Sequence, residues 1–186
     1  MLRRIPIKSC IINDPSATVL GGDVFIPLKG KRGKTKKGKK IIECCQELLN
    51  ALSTGQFCGL ITDLEYGRAR NIVGENKFYD FLNKYIRPYE KARLFEVMIT
   101  KFLKDYREIP AYRHLFKILD DKNIHLPNMT SIITAVELKK PIVSYDVHFW
   151  VYQQQIRRTY AERHNESNSP PVFTPYDFCK LFLPKL

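Results

Sequence analysis

Two aspartates stand where a parallel sheet would deliver them to solvent. Ile132, Ile133, Ala135, Val136 and Leu138 recur at helical spacing, Pro141 ends that helix, and Ile142 and Val143 form a short apolar strand that hands Asp146 to the loop beyond. Near the start of the chain, Ile5 to Asn13 reads as a strand through Ile5, Ile7, Cys10, Ile11 and Ile12, and runs into Asp14-Pro15-Ser16. Parallel strands need helical crossovers, so their carboxyl ends gather along one edge of the sheet and the polar residues there converge. Carboxylates brought together raise one another's pKa unless a hard cation lies between them, and Mg2+ or Mn2+ takes such oxygen ligands while keeping water. Both residues also have an ordinary reading: Asp146 is a good N-cap for a helix beginning near His148, and Asp14-Pro15-Ser16 is a common turn.

The elements that would position these acids alternate along the chain. Lys40 to Ala51 is an amphipathic helix with Ile41, Ile42, Cys45, Leu48, Leu49 and Leu52 on one stripe, and Gly55 stops it. Phe57 to Leu60 follows as a strand, and Ile61-Thr62-Asp63-Leu64-Glu65-Tyr66-Gly67-Arg68 turns into a second helix. Asn76 to Tyr106 reads as two helices broken at Arg87-Pro88, with Leu94, Val97, Met98, Phe102 and Tyr106 as their core stripe. Tyr112 to Leu119 and Phe149 to Arg163 are further helices, and Val172 to Phe178 is a short strand leading into a closing helix. The order predicts an α/β fold, a three-layer α/β/α sandwich around a central, mainly parallel sheet.

A chain of 186 residues that is 44% hydrophobic supports one core, so residues 1–186 are expected to form a single domain. The five cysteines form no C-x-x-C pair and the four histidines lack metal-ligand spacing, which argues against a disulfide framework or a zinc site. No apolar run approaches the roughly 18 residues that span a bilayer, and Met1-Leu2-Arg3-Arg4 opens no signal peptide, so an intracellular location and no membrane partner are expected.

The net charge of +12 points to a polyanionic partner. Eight of these charges, Lys29, Lys31, Arg32, Lys34, Lys36, Lys37, Lys39 and Lys40, fall in one acid-free run with three glycines, expected to be a solvated arm that grips nucleic-acid phosphates. Gly33-Lys34-Thr35 is not a P-loop, because Leu28 stands where the motif needs glycine.

The helix-strand unit from Asn128 to Asp146 resembles the last such unit of the PIN-domain nucleases, with Thr134-Ala135, Pro141-Ile142-Val143 and Ser144-Tyr145-Asp146 in register. Ile11-Ile12-Asn13-Asp14-Pro15-Ser16-Ala17 resembles the opening of that family, and Glu65 falls where its second helix carries an acid. Gly22-Asp23-Val24-Phe25-Ile26 can be laid over the same opening, which keeps Asp23 as the alternative to Asp14. Asn128 stands where the family has a further acid. The resemblance covers roughly two thirds of the chain, leaving a basic insertion at 27–40 and an extra helix and loop at 150–170.

What this likeness implies is a metal-dependent endoribonuclease, with Asp14 (or Asp23), Glu65 and Asp146 as ligands of Mg2+ or Mn2+ and Asn128 in the remaining place. Ser144, Thr62 and Arg68 are accessory candidates, with Lys139 as a further phosphate contact. The expected partner is RNA, single-stranded or structured, and a homodimer or a regulatory protein is left open. A second reading also stays open: a PIN-like fold that no longer cuts and serves as an RNA-binding or assembly component, since an amide supplies neither charge nor base.

Overall fold

The computed structural model describes residues 2–9, 14–29, 35–86, 93–121 and 123–183. Six strands, β1 (Arg3–Pro6), β2 (Ala17–Leu20), β3 (Cys58–Thr62), β4 (Arg93–Met98), β5 (Ile142–Val143) and β6 (Val172–Phe173), form one sheet in the order β1-β4-β3-β2-β5-β6. All pairings are parallel. The connections run through α1 (Lys36–Ser53), α2 (Asp63–Val73), α3 (Glu75–Phe81), α4 (Leu103–Glu108), α5 (Arg113–Asp120), α6 (Leu126–Leu138), α7 (Val147–Val151) and α8 (Gln153–His164); α9 (Pro175–Phe182) follows β6.

Alternation along the strands makes two cores and hence three layers. Val19, Leu60, Val97 and Ile142 face a core shared with Tyr112, Phe116, Met129, Ile132 and Phe149. Leu20, Ile61, Leu94 and Val143 face the other, built with Leu48, Leu52, Phe78 and Phe178. The predicted α/β sandwich with a parallel sheet is the fold of this chain. Among the described residues no helix is long and apolar enough to cross a membrane.

Several boundaries differ from the sequence reading. The first strand is only Arg3–Pro6, continues as a 3-10 turn over Ile7–Ser9, and lies at the sheet edge against β4 alone. Residues 10–13, on which the expected strand end rests, lie outside the described residues, as do Lys31, Arg32 and Lys34 of the basic run. Lys36, Lys37, Lys39 and Lys40 belong to the first turns of α1, capped by Thr35, and not to a loop. Phe149 to Arg163 is two helices, broken at Tyr152.

The larger correction is at Arg93–Met98, expected as helix and found as strand β4 between β3 and β1. Leu94, Val97 and Met98 satisfy a helical stripe, but Leu94 and Val97 also face opposite cores in a strand. Periodicity over so short a run does not separate the two states, and the open sheet edge beside β3 decides it.

The order of strands places a crevice. β2 connects to β3 on one side, whereas β5 connects to β6 on the other, so the direction of winding reverses between β2 and β5. Open α/β sheets bind ligands beyond the carboxyl ends of the strands at such a reversal.

Candidate active site

The loops leaving β2, β3 and β5 carry the site. After Leu20 the chain passes through Gly21 and Gly22 into a 3-10 segment, Gly22–Lys29, that brings Asp23 against the end of β5. Asp23 Oδ1 accepts from Ser144 Oγ at 2.7 Å and Oδ2 accepts from the Tyr145 backbone N–H. The two glycines allow this approach. A Cβ on Gly21 would collide with Asp23 Oδ1 and stand 2.7 Å from Ser144 Oγ, and one on Gly22 would stand 2.7 Å from Glu65 Oε2.

Glu65 comes from the first turn of α2, which Thr62 caps by accepting from the Glu65 backbone N–H at 3.2 Å. Thr62 Oγ1 also lies 2.9 Å from Thr130 Oγ1 on α6, so this buried hydroxyl ties two helices together. The Glu65 carboxylate is fully buried and accepts from the Gly22 N–H at 2.7 Å. Burial pushes its pKa up to about 7 despite the opposing charge of Arg68 and the Gly22 hydrogen bond. Asp23 is raised for the same reason, burial, against its bonds to Ser144 and Tyr145.

Asp146 caps α7, accepting from the His148 backbone N–H at 3.1 Å, and its Oδ1 lies 2.6 Å from His148 Nδ1. The ordinary reading of this residue is therefore also true, and it leaves Oδ2 for the site. Burial works to raise the Asp146 pKa, yet the Asn128 amide, the His148 N–H and Arg68 together hold it well below the usual carboxylate range.

At the centre is Arg68, on α2. One nitrogen, Nη1, donates to Asn128 Oδ1 at 2.9 Å and to Glu65 Oε1 at 3.4 Å, while Nη2 donates to Asp146 Oδ2 at 2.9 Å. Asn128 is fully buried and its Nδ2 completes no hydrogen bond among the described residues, although its amide favours the Asp146 carboxylate. Among the described residues no three His, Cys, Asp or Glu side chains are placed to chelate an ion. The donor set itself, two carboxyl groups and one amide oxygen facing a cation with the Asp23 carboxyl group close by, is of the kind Mg2+ and Mn2+ take.

The structure thus brings together Asp23, Glu65, Asn128, Asp146, Ser144 and Arg68. It does not bring Asp14 to them. Asp14 precedes β2 and lies at the amino edge of the sheet, where it pairs with Arg93 at 2.6 Å and holds the Ser16 N–H and hydroxyl. The apolar pattern of Ile5 to Asn13 predicts Asp14 at a strand's carboxyl end; it stands instead before the next strand. Lys139 is also far from the site, at the α6 C-cap with a φ of 54°, where it pairs with Glu166.

Sequence reasoning misses the Gly21-Gly22 pair and His148, and makes Arg68 peripheral. A glycine pair directly after an apolar stretch, followed by an acid, is the available signal. On the rim of the site, His125 and His148 meet edge to face at 5.2 Å, and Val147 and Trp150 of α7 are partly exposed beside Asp146. No family model, curated protein or solved structure matches the chain.

Proposed function

We propose that this chain is a metal-dependent nuclease of PIN type that hydrolyses RNA phosphodiesters at the carboxyl edge of its sheet, with Asp23 and not Asp14 as its first acid. The observation that carries this reading is the gathering of Glu65, Asn128 and Asp146 around the Arg68 guanidinium, with Asp23 beside them against the end of β5, at the β2/β5 reversal.

Asp23, Glu65, Asp146 and the Asn128 oxygen would hold Mg2+ or Mn2+. Held there, such an ion would supply Lewis-acid chemistry, lowering the pKa of a water and offsetting charge on the phosphate. The chain's own groups keep the ligands aimed: Ser144 Oγ and the Tyr145 N–H orient Asp23, the Gly22 N–H orients Glu65, and the His148 N–H orients Asp146. Lys36, Lys37, Lys39 and Lys40 are suited to hold the nucleic-acid backbone. They open a helix that follows β2 and runs back toward β3, so they share the carboxyl edge with the acids. Backbone contacts of this kind give affinity and not sequence choice.

The test is cleavage of a substrate with single-stranded and hairpin segments, with Mn2+ or Mg2+, with EDTA, and by Asp146→Asn. Cutting that requires both the ion and Asp146 supports the reading; uncut RNA under every condition defeats it. One observation favours the second reading, an RNA-binding component that does not cut: Arg68 already satisfies Glu65, Asn128 and Asp146. That reading predicts salt-sensitive binding indifferent to Asp146→Asn.

A further inference from the structure

We propose that Arg68 is a built-in counter-ion that closes the acidic site at rest, and that a divalent cation enters only as the guanidinium moves out onto a phosphate of the nucleic acid. This rests on the nuclease reading above and concerns the control of the same site.

The position of Arg68 argues for a stand-in cation. Its side chain reaches from α2 to α6 and to the loop before α7, touching Glu65, Asn128 and Asp146 at once, which are three of the four proposed ligands. A guanidinium and a divalent ion compete for that place, because two positive charges so close repel. One positive charge meets two carboxyl groups, with Asp23 a third nearby, so a divalent ion would neutralise the cluster more completely.

Two further features favour opening of the closed arrangement. The Arg68 side chain is 30% exposed, whereas Glu65 is 0% and Asp146 9%, so the guanidinium forms the outer layer of the cluster and has a route to solvent. Asn128, fully buried beneath it, has a nitrogen that favours the Asp146 carboxylate but completes no hydrogen bond among the described residues. Leaving such a group unmet is unfavourable. With Arg68 gone, the amide oxygen it holds is free to face an ion in its place.

The planar fork of arginine matches a phosphate as well as a carboxylate, so a nucleic-acid backbone lying along Lys36 to Lys40 offers the displaced guanidinium a new partner. Metal and polyanion then bind cooperatively: each removes the obstacle to the other. Free metal binds weakly until nucleic acid arrives.

The experiment measures Mn2+ binding by the full chain from the electron paramagnetic resonance of free Mn2+. Wild type, Arg68→Ala and Arg68→Lys are each titrated alone and with an oligodeoxythymidylate, whose own Mn2+ binding is subtracted. Arg68→Ala is expected to bind Mn2+ about tenfold more tightly than wild type, and the oligonucleotide to tighten wild type by a similar factor while leaving Arg68→Ala unchanged. Equal affinity of the two proteins, with Arg68→Ala folded by circular dichroism, overturns the proposal, as does equal tightening of both by the oligonucleotide.

Should Arg68→Ala fail to fold, Arg68→Lys decides, because a lysine cannot bridge all three partners at once. Tighter Mn2+ binding than wild type supports the gate and unchanged binding refutes it. The nuclease reading fails separately: tighter Mn2+ binding by the variants without any RNA cleavage would leave the gate standing and remove the enzyme. Metal-dependent cleavage with unchanged variant affinity would do the reverse.

Discussion

Arg68 Nη2 and Asp146 Oδ2 lie 2.9 Å apart across 78 positions of sequence, joining α2 to the loop that leaves β5. The pairing gives Asp146 two separable roles, as partner of the guanidinium and as cap of α7. Asp146→Asn keeps a good capping residue but loses the buried charge that Arg68 and the His148 N–H stabilise, so it should lower stability at pH 7 by about 1–3 kcal/mol while metal-dependent RNA cleavage falls by at least about 100-fold. Comparable cleavage by Asp146→Asn and wild type would remove Asp146 from the reaction.

Asp14 and Asp23 separate the two edges of the sheet. Asp23→Asn is expected to abolish cleavage and weaken Mn2+ binding. Asp14→Asn, which loses a largely exposed pair with Arg93, should cost no more than about 1 kcal/mol of stability and leave both properties intact. Paired cleavage assays and urea unfolding of the two variants check this, and the opposite pattern would restore Asp14 to the site.

Gly22 and Gly67 predict opposite effects of the same substitution. A Cβ on Gly22 would stand 2.7 Å from Glu65 Oε2 and 3.0 Å from the Glu65 carbonyl oxygen, so Gly22→Ala should destabilise by about 1–3 kcal/mol. Gly67 lies inside α2 with nothing within 4 Å of its Cβ position, and Gly67→Ala should stabilise by about 0.5–1 kcal/mol. Urea melts of the two single variants measure the difference in sign.

Glu137 supplies a pH dependence distant from the acidic site. Burial opposes its ionisation, but Arg163, at 2.6 Å, and the Tyr112 hydroxyl, at 2.6 Å, hold its pKa below the ordinary 4.5. The folded state therefore binds this proton less tightly than the unfolded chain. Its stabilisation is fully present above pH 4.5 and is lost as pH falls through the lowered folded value. Glu137→Gln should lower stability at pH 7 by about 1–3 kcal/mol and flatten the acid side of the stability curve, read from unfolding at a series of pH values. A curve of unchanged shape would dismiss the assignment.

The lysines of α1 predict the salt response of binding. Replacing Lys36, Lys37, Lys39 and Lys40 with Gln should weaken single-stranded RNA binding across sequences and reduce the slope of log affinity against log salt by about 0.7 for each phosphate that is no longer neutralised. Filter binding from low to moderate salt gives the slope. A slope equal to that of wild type would place the RNA elsewhere.

Local pattern is enough for the fold class, because it depends on short-range signals: the helical stripe of Ile132 to Leu138, the stop at Pro141, the strand of Ile142 and Val143, and the short strand at Val172 leading into α9 all hold in the folded chain. The same signals determine that Asp146 leaves a strand end and that Glu65 opens a helix. They do not distinguish strand from helix at Arg93–Met98, where six residues satisfy both periods and only the open edge of β3 chooses. Nor do they say which aspartate joins the site. Asp14 and Asp23 each adjoin apolar sequence, and what separates them is that β2 lies between them, so one falls at each end of a strand whose direction is set by its neighbours. Arg68 is the clearest case: as sequence it is a basic residue on a helix, one turn from an acid. Its central place follows from the parallel order of β3, β2 and β5, which carries Asn128 and Asp146 to within reach of a single guanidinium.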